Sequence, residues 1–320
     1  MTEMKLPRVV VIGGGTGMPV LLRGLKNLEI DLTALVTVAD DGGSTGRIRN
    51  EMAIPAPGDI RNVIAALSDA EPMLLDLFQH RFSVGNGLSG HSMGNLLLAA
   101  MTSITGDFFD GIKEISRVLN VKGNIYPISN HNITLQAKYT DGTIVSGESK
   151  IPLENKRIER VFIHPDTIEP LGEAILAIEK ADLVVISPGS LYTSIMPNLI
   201  IPKVGDALRD TQGKVVYVCN VMTQSGETTG YTASDHIQAI YNHIGKGSVD
   251  AIVVHNEPID PSIQAIYAKE NAAPVFYDIE KLSHMGLEII EGDIISHSYP
   301  TVRHDKDKIA TLLYSSLMQK

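Results

Sequence analysis

Hydrophobic residues along this chain fall into short continuous runs more often than into alternating ones. The five clearest runs begin at Arg8 ("RVVVIG"), Leu32 ("LTALVTVAD"), Ala181 ("ADLVVIS"), Lys214 ("KVVYVCN") and Val249 ("VDAIVVHN"). Continuous apolar runs bounded by glycine, aspartate or asparagine are typical of strands that are covered on both faces. The pattern therefore predicts five buried strands of a parallel sheet.

Between these runs, apolar residues recur with the spacing of amphipathic helices. The segments are "VLLRGLKNL", "DIRNVIAALSD", "NLLLAAMTSI", "LGEAILAIEKA", "ASDHIQAIYNHI" and "PSIQAIYAKEN". Alternating strands and helices predict a Rossmann-like, doubly wound α/β fold, with a mostly parallel sheet and helices on both faces.

One segment, residues 124–164, interrupts this alternation. It contains "NIYPIS", "NITLQAKYTDGTIVSG" and "IERVFIH", which look like antiparallel hairpins with a turn at Asp141-Gly142. We expect a small antiparallel β element, either added to the main sheet or forming a small lobe. Proline- or serine-rich linkers are missing from the sequence, so we expect a single domain over 1–320 with this β-rich excursion.

Charge and cysteine content narrow the possible partners. The chain has 27 Lys and Arg against 37 Asp and Glu, a net charge of −10, which opposes non-specific binding to nucleic acid or anionic lipid. No apolar run approaches the roughly 20 residues that span a bilayer. Cys219 is the only cysteine and fits a buried strand better than a nucleophile's position. We expect a cytoplasmic protein with no nucleic-acid partner and no membrane insertion.

The first strand-to-helix turn is rich in glycine. "VIGGGTGMP" gives five candidate phosphate-binding residues: Gly13, Gly14, Gly15, Thr16 and Gly17. Backbone N–H groups of such a turn can hold an anion at the N-terminus of the next helix. Met18 occupies the third glycine position of the dinucleotide fingerprint, and no Lys-Ser or Lys-Thr pair follows, which removes a Walker A assignment. A tight turn without a ligand is the alternative.

Two aspartates end the second strand, before "GGSTG". Asp40 could bind ribose hydroxyls, with Ser44 in the same nucleotide-binding loop. Asp40 and Asp41, together with Asp59 at the start of the next helix, could instead hold Mg²⁺. Asp59 could equally be a helix N-cap.

Later strand ends repeat this arrangement. Gly189, Ser190 and Thr193 follow the third buried run, where they could offer donors to a phosphate or sugar, and Ser190 could also be a simple cap. Asn220, with Thr223 and Gln224, follows the next run and should line the same crevice. In "SGHSMGN", His91 and Ser92 suit a turn and helix cap better than nucleophilic catalysis.

Several blocks carry a family resemblance. In order, they are "GGGTGMPVLLRGLK", "TVADDGGSTGRIR", "PAPGDIRN", "GHSMGNLLLAA", "ISPGSLYTSIMPNLIIP" and "CNVMTQSGETTGY", spread from residue 8 to about 235. Together they resemble the 2-phospho-L-lactate transferase (CofD-like) superfamily, and most closely its gluconeogenesis factor (YvcK-like) branch. The glycine-rich "DDGGSTG" is typical of that branch rather than of the transferases.

The resemblance implies a Rossmann-like core, a homodimer and a nucleotide-diphosphate ligand. Transferase members move a phospholactyl group from a guanosine-diphosphate-type donor with help from Mg²⁺. The gluconeogenesis factor branch is associated with carbon metabolism, cell shape and cell-wall precursor supply, and is similar to binders of UDP-sugars. The resemblance also implies that Asn95 lies next to the ligand.

A uridine diphosphate needs an aromatic surface and a cation, for which Tyr267 and Arg303 are the candidates in the C-terminal third. Each has an ordinary alternative, because Tyr267 could pack within its helix and Arg303 could pair with Asp305. His236 and His243 lie too far apart along one helix for a shared metal, and we expect both at the surface.

Three functions follow from these observations. The favoured one is a cytoplasmic UDP-sugar-binding regulatory protein that acts through unidentified protein partners. The second is a Mg²⁺-dependent transferase, and the third is an NAD-dependent oxidoreductase. Persistence of any catalysis is left open.

Overall fold

The computed structural model describes residues 5–296 and 301–318. Its strands are β1 (Arg8–Gly13), β2 (Asp31–Val36), β3 (Asn124–Pro127), β4 (Thr134–Tyr139), β5 (Ile144–Ser146), β6 (Ile158–His164), β7 (Leu183–Ile186), β8 (Lys214–Val218), β9 (Ala251–His255) and β10 (Glu288–Gly292). Seven of them form one parallel sheet in the order β10-β9-β8-β7-β1-β2-β3, and β5-β4-β6 form a separate antiparallel sheet.

Helices cover the main sheet. They are α1 (Gly17–Leu25), α2 (Gly43–Met52), α3 (Gly58–Leu67), α4 (Pro72–Gln79), α5 (Met93–Thr105), α6 (Phe108–Val118), α7 (Gly172–Lys180), α8 (Met196–Leu199), α9 (Val204–Asp210), α10 (Ala233–Ile244), α11 (Pro261–Ala268), α12 (Ile279–His284) and α13 (Lys306–Met318). A 3₁₀ helix spans Glu148–Glu154 and a π-helical turn spans Leu191–Ile195. In the described part of the chain, no helix is both long and apolar enough to cross a bilayer.

The five predicted strands are confirmed as β1, β2, β7, β8 and β9. The four central residues of β1, Val9 to Ile12, are at most 2% exposed, because helices lie on both faces of the sheet. From β1 the chain adds β2 and β3 on one side, then crosses to add β7 to β10 on the other. This order makes the fold Rossmann-like and places its switch point between β1 and β7.

The β-rich segment differs in part from the expectation. "NIYPIS" was expected in an antiparallel hairpin, but its first four residues form β3, a parallel edge strand beside β2. Pro127 is tolerated there because an edge strand does not need every N–H for pairing. The remaining strands do form an antiparallel lobe, and the turn at Asp141-Gly142 is confirmed by the bond from the Thr143 N–H to Asp141 (2.9 Å).

The expected surface position of His236 is wrong. His236 is fully buried on α10, and its Nδ1 lies 2.8 Å from the carbonyl oxygen of Thr232. His243 is partly buried and its Nε2 accepts the Val161 N–H of β6 (3.0 Å). The rings of Tyr217 and Tyr231 cover His236, and the lobe strand β6 covers His243.

Candidate functional site

The glycine-rich turn lies at the switch point. β1 ends at Gly13 and α1 begins at Gly17, so Gly14, Gly15 and Thr16 form the turn. A Cβ at Gly17 would collide with the carbonyl oxygen of Pro188 in the loop after β7. Glycine at this position therefore lets the two strand-end loops pack directly against each other.

A cavity of about 420 Å³ opens between these two loops. The β1 turn, the β7 loop, the segment after β8 and helix α11 all contribute to its walls. Predicted nucleotide-binding residues that line it are Gly15, Thr16, Gly17, Gly189, Ser190, Asn220 and Tyr267. We call this cavity the crevice, and it occupies the position where open α/β sheets bind ligands.

Amide side chains hold the crevice's β7 loop in place. Asn220 accepts the N–H of Gly189 (3.0 Å) and donates to the Gly189 carbonyl (2.6 Å). Gln224 donates to the hydroxyl of Ser190 (2.9 Å). Because the Gly189 N–H and the Ser190 hydroxyl already have these partners, Asn220 and Gln224 shape the wall of the crevice.

Thr193 was expected to offer a hydroxyl to the ligand, and the structure shows another use. Its hydroxyl donates to the buried carboxylate of Glu227 (2.7 Å), which also accepts the N–H of Tyr192 (2.9 Å). Burial raises the pKa of Glu227. Thr193 is 4% exposed and does not line the crevice, so its role is structural.

Tyr267 lines the crevice from α11. Its hydroxyl accepts the backbone N–H of Val302 (3.1 Å) and lies 3.4 Å from the Val302 carbonyl oxygen. Val302 is itself a lining residue, so the ring and this backbone segment form one wall. Arg303 follows directly, with an exposed side chain, and its carbonyl accepts the Ser296 N–H (2.9 Å).

Sequence reasoning missed His304, the next residue along the chain. His304 lines the crevice, and its imidazole bonds to the backbone of Cys219 while its Nε2 is buried without a hydrogen-bond partner among residues 5–296 and 301–318. Burial lowers the pKa of His304 to about 4. Cys219 is 2% exposed and burial raises the pKa of its thiol to about 12, which supports its assignment as a core residue.

Carboxylates gather on the other side of the glycine turn. Asp59 accepts the N–H of Gly15, and a Cβ at Gly14 would lie 2.6 Å from its Oδ2. Asp59 is the second residue of α3 and does not cap it. Burial raises the pKa of Asp59 to about 6, the Gly15 bond opposes that rise, and the charge of Asp40 adds to it.

Glu148, which the sequence did not single out, joins this acidic cluster from the lobe. The pKa of Glu148 is raised to about 8, first by burial and then by the charges of Asp40, Asp59 and Asp41. The neighbouring Ser149 N–H donates to Asp41 (2.9 Å). The lobe therefore docks on the loop that follows β2 and brings a fourth carboxyl group to it.

Each predicted magnesium ligand has a backbone partner in this structure. Asp40 accepts the N–H of Gly42 (2.8 Å), Asp41 that of Ser149, and Asp59 that of Gly15. Within residues 5–296 and 301–318, no three His, Cys, Asp or Glu side chains are arranged to hold a metal ion. Mg²⁺ at Asp40, Asp41 and Asp59 stays a prediction.

Ser44 and Asn95 lie together, outside the walls of the crevice. The Asn95 side-chain amide donates to the Ser44 hydroxyl (3.3 Å), which lies 3.0 Å from Nδ1 of His91. Ser92 caps α5 by accepting the Asn95 N–H (3.3 Å), as the sequence predicted. Oδ1 of Asn95 is buried and has no hydrogen-bond partner in the described part of the chain. Ser44 and Asn95 stay predictions as nucleotide ligands.

Strand order, a glycine turn and a crevice at the switch point define a Rossmann-like α/β protein. A family model described as 2-phospho-L-lactate transferase CofD matches residues 9–295, so the chain belongs to the CofD family.

Relatives place it within that family. The chain is 55% identical over 313 residues to the gluconeogenesis factor of Bacillus subtilis, and the matched region covers 98% of this chain and 99% of that protein. It is 57% identical over 307 residues to the gluconeogenesis factor of Halalkalibacterium halodurans, covering 96% and 95%. A crystal structure of a UPF0052 family member from Bacillus halodurans matches with a TM-score of 0.94 and 55% identity, covering 98% and 100%. The resemblance to the gluconeogenesis factor branch is confirmed.

Proposed function

We propose that this protein is a cytoplasmic sugar-nucleotide-binding regulator of the gluconeogenesis factor type, with a UDP-sugar in the crevice. In this role it links carbon metabolism to cell shape and cell-wall precursor supply, as a homodimer that contacts protein partners according to ligand occupancy. The observation that carries the proposal is the crevice itself, which gathers residues from three strand ends and Tyr267 at the switch point.

The chemistry of the walls suits the parts of such a ligand. Turn residues Gly15 to Gly17 stand at the N-terminus of α1, where the helix dipole favours a diphosphate. The ring of Tyr267, with Met222 and Val302, offers apolar surface for a nucleoside. Arg303, adjacent to this wall, supplies a cation for the phosphates.

Calorimetry tests the proposal. The protein is titrated with UDP-N-acetylglucosamine, a guanosine diphosphate ester and NAD, each with and without Mg²⁺. We expect saturable binding of the UDP-sugar without turnover. Tyr267→Ala should weaken it about 5- to 150-fold, since stacking on a base contributes about 1–3 kcal/mol, and Arg303→Ala should also weaken it. Phe276→Ala, which removes a 68% exposed ring, is the control and should bind normally.

The same titrations distinguish the two alternatives. Product formation that requires Mg²⁺ would favour a group transferase, which the acidic cluster beside the glycine turn makes the second candidate. Binding of NAD alone would favour an oxidoreductase. Unchanged UDP-sugar affinity in both Tyr267→Ala and Arg303→Ala would place the ligand away from the crevice.

A further inference from the structure

Ser194 places a hydroxyl group between the two loops that border the crevice. It lines the crevice and is 7% exposed. A Cβ at Gly15 would lie 2.8 Å from the Ser194 Oγ, and a Cβ at Gly189 would lie 3.6 Å from the Ser194 Cβ. In the part of the chain that the structure describes, this hydroxyl has no hydrogen-bond partner. Unlike Oδ1 of Asn198, which is sealed inside the protein, it borders the open cavity.

The main chain of Ser194 is fixed to the glycine turn. The side-chain amide of Asn198 donates to the carbonyl oxygens of Gly13 (3.1 Å) and Ser194 (2.9 Å). The N–H of Ser194 donates to the Ser190 carbonyl (2.9 Å) at the start of the π-helical turn. Asn198 is fully buried, so water does not compete for its bonds. The Ser194 hydroxyl is therefore held beside the glycine turn before any ligand binds.

The groups around this hydroxyl favour an anion. The N–H groups of Thr16 and Gly17 at the start of α1 have no partner within the helix, and the helix dipole favours negative charge in front of them. Among the described residues that line the crevice there is no Asp, Glu, Lys or Arg. A phosphate beside the turn would therefore be bound by neutral N–H and O–H donors, and the Ser194 hydroxyl has its hydrogen available for that purpose.

We infer that the Ser194 hydroxyl donates a hydrogen bond to a phosphate oxygen of the bound nucleotide. This inference rests on the proposed function, which puts the diphosphate at the glycine turn. The sequence pointed instead to Thr193, whose hydroxyl is committed to Glu227. A hydrogen bond to a charged group is worth about ten- to hundredfold in affinity. Ser194 therefore helps the crevice to select phosphorylated ligands over the free nucleoside.

Ser194→Ala tests this inference. Wild type, Ser194→Ala and the control Ser103→Ala, at an exposed position of α5, are titrated by calorimetry with UDP, uridine and inorganic pyrophosphate. We expect Ser194→Ala to bind UDP and pyrophosphate about ten- to hundredfold more weakly than wild type, and uridine equally well. Ser103→Ala should bind all three ligands as wild type does.

The three ligands separate this inference from the proposed function. Unchanged UDP affinity in Ser194→Ala, or equal losses for UDP and uridine, would overturn the inference while leaving UDP binding intact. If wild type bound pyrophosphate but no uridine nucleotide, the proposed function would be rejected, and the pyrophosphate titration of Ser194→Ala would still decide the role of the hydroxyl. Binding of none of the three ligands by wild type would reject both.

Thermal unfolding of the ligand-free variants is a second measurement. Ser194→Ala should unfold at the wild-type temperature, because the described chain offers its hydroxyl no partner to lose. Thr193→Ala should unfold at a lower temperature, because the buried Glu227 carboxylate loses a hydrogen bond. Equal destabilisation by the two substitutions would show that the Ser194 hydroxyl has a structural role and would contradict the inference.

Discussion

At the scale of one residue, Glu148 shows how much folding stability the acidic cluster costs. Its carboxyl is close enough to Asp40, Asp59 and Asp41 to feel their charges, and its pKa is about 8, chiefly because of burial. Between the ordinary value of 4.5 and about 8, the native state keeps a proton that the unfolded chain releases. Raising the pH through this window therefore favours unfolding, and the loss of stability is complete above pH 8.

Glu148→Gln should consequently stabilise the protein in a pH-dependent way. Near pH 9 we expect a gain of about 2 kcal/mol in the free energy of unfolding, because the amide removes the cost of a buried charge. The gain is no larger because the side chain is partly exposed and solvent screens its charge. Near pH 4.5 the gain should vanish. Denaturant unfolding at both pH values measures this difference, with the exposed Glu257→Gln as control; equal gains at both pH values would show that Glu148 is not buried among charges.

Local sequence predicted some site residues and missed others for a physical reason. Gly15, Ser190 and Asn220 follow parallel strands, whose carboxyl ends meet at one edge of the sheet, so their convergence could be foreseen. Glu148 and His304 come from a lobe and from a segment near the C-terminus, and their positions depend on packing between distant parts of the chain. An acidic residue beside Gly147 and a histidine next to Arg303 were the only signals available.

At the scale of elements, α1 links the glycine turn to the C-terminal helix. Gly24 of α1 packs so closely on α13 that a Cβ there would collide with the Lys306 carbonyl and lie 2.9 Å from Cβ of Ala310. Lys306 begins α13 only two residues after His304. The close contact of α1 with α13 therefore also positions one wall of the crevice.

Gly24→Ala should push these two helices apart. We expect a loss of about 1–3 kcal/mol in unfolding free energy from overpacking, and weaker UDP-sugar binding because His304 moves with α13. Thermal unfolding and calorimetry measure the two effects. The control is Gly172→Ala at the start of α7, where a Cβ meets no atom within 4 Å. If both alanine variants behaved alike, the tight contact between α1 and α13 would be disproved.

Strands and helices could be predicted where their own sequence carried one clear hydrophobic pattern. The strand β7 is apolar throughout and β1 and β8 are apolar after a charged first residue, and this continuous run identified all three. The edge strand β10 is only half-buried, so its sequence lacked a continuous apolar run. Helix α2 begins inside "GGSTG", a composition typical of loops, and was missed because its burial depends on α5 rather than on an apolar stripe of its own.

At the scale of the whole molecule, the crevice draws its walls from both sides of the sheet's switch point. Its lining residues come from the turn after β1, the loops after β7 and β8, α11 and the segment before α13. The antiparallel lobe β4–β6 contributes none of them. A ligand in the crevice should therefore tie the two halves of the main sheet together and leave the lobe as it was.

Hydrogen exchange measures that footprint. With saturating UDP-N-acetylglucosamine we expect slower exchange in 14–17, 188–194, 220–224 and 301–304, because a bound ligand reduces local opening of the segments it joins. Peptides from β4 and β6 should exchange at unchanged rates and serve as the internal control. Slower exchange confined to 40–46 and 91–95 would instead locate the ligand beside Asp40.

The turn after β1 separates the crevice, which suits an anion, from the acidic cluster around Asp59. One face of it lines the crevice, and on the other face the N–H of Gly15 is held by Asp59, with Gly14 in close contact. A partition only one peptide thick screens charge weakly. A dianionic ligand in the crevice would raise the pKa of Asp59 on the other side of the turn. Ligand binding would then change the protonation of Asp59 without displacing the backbone.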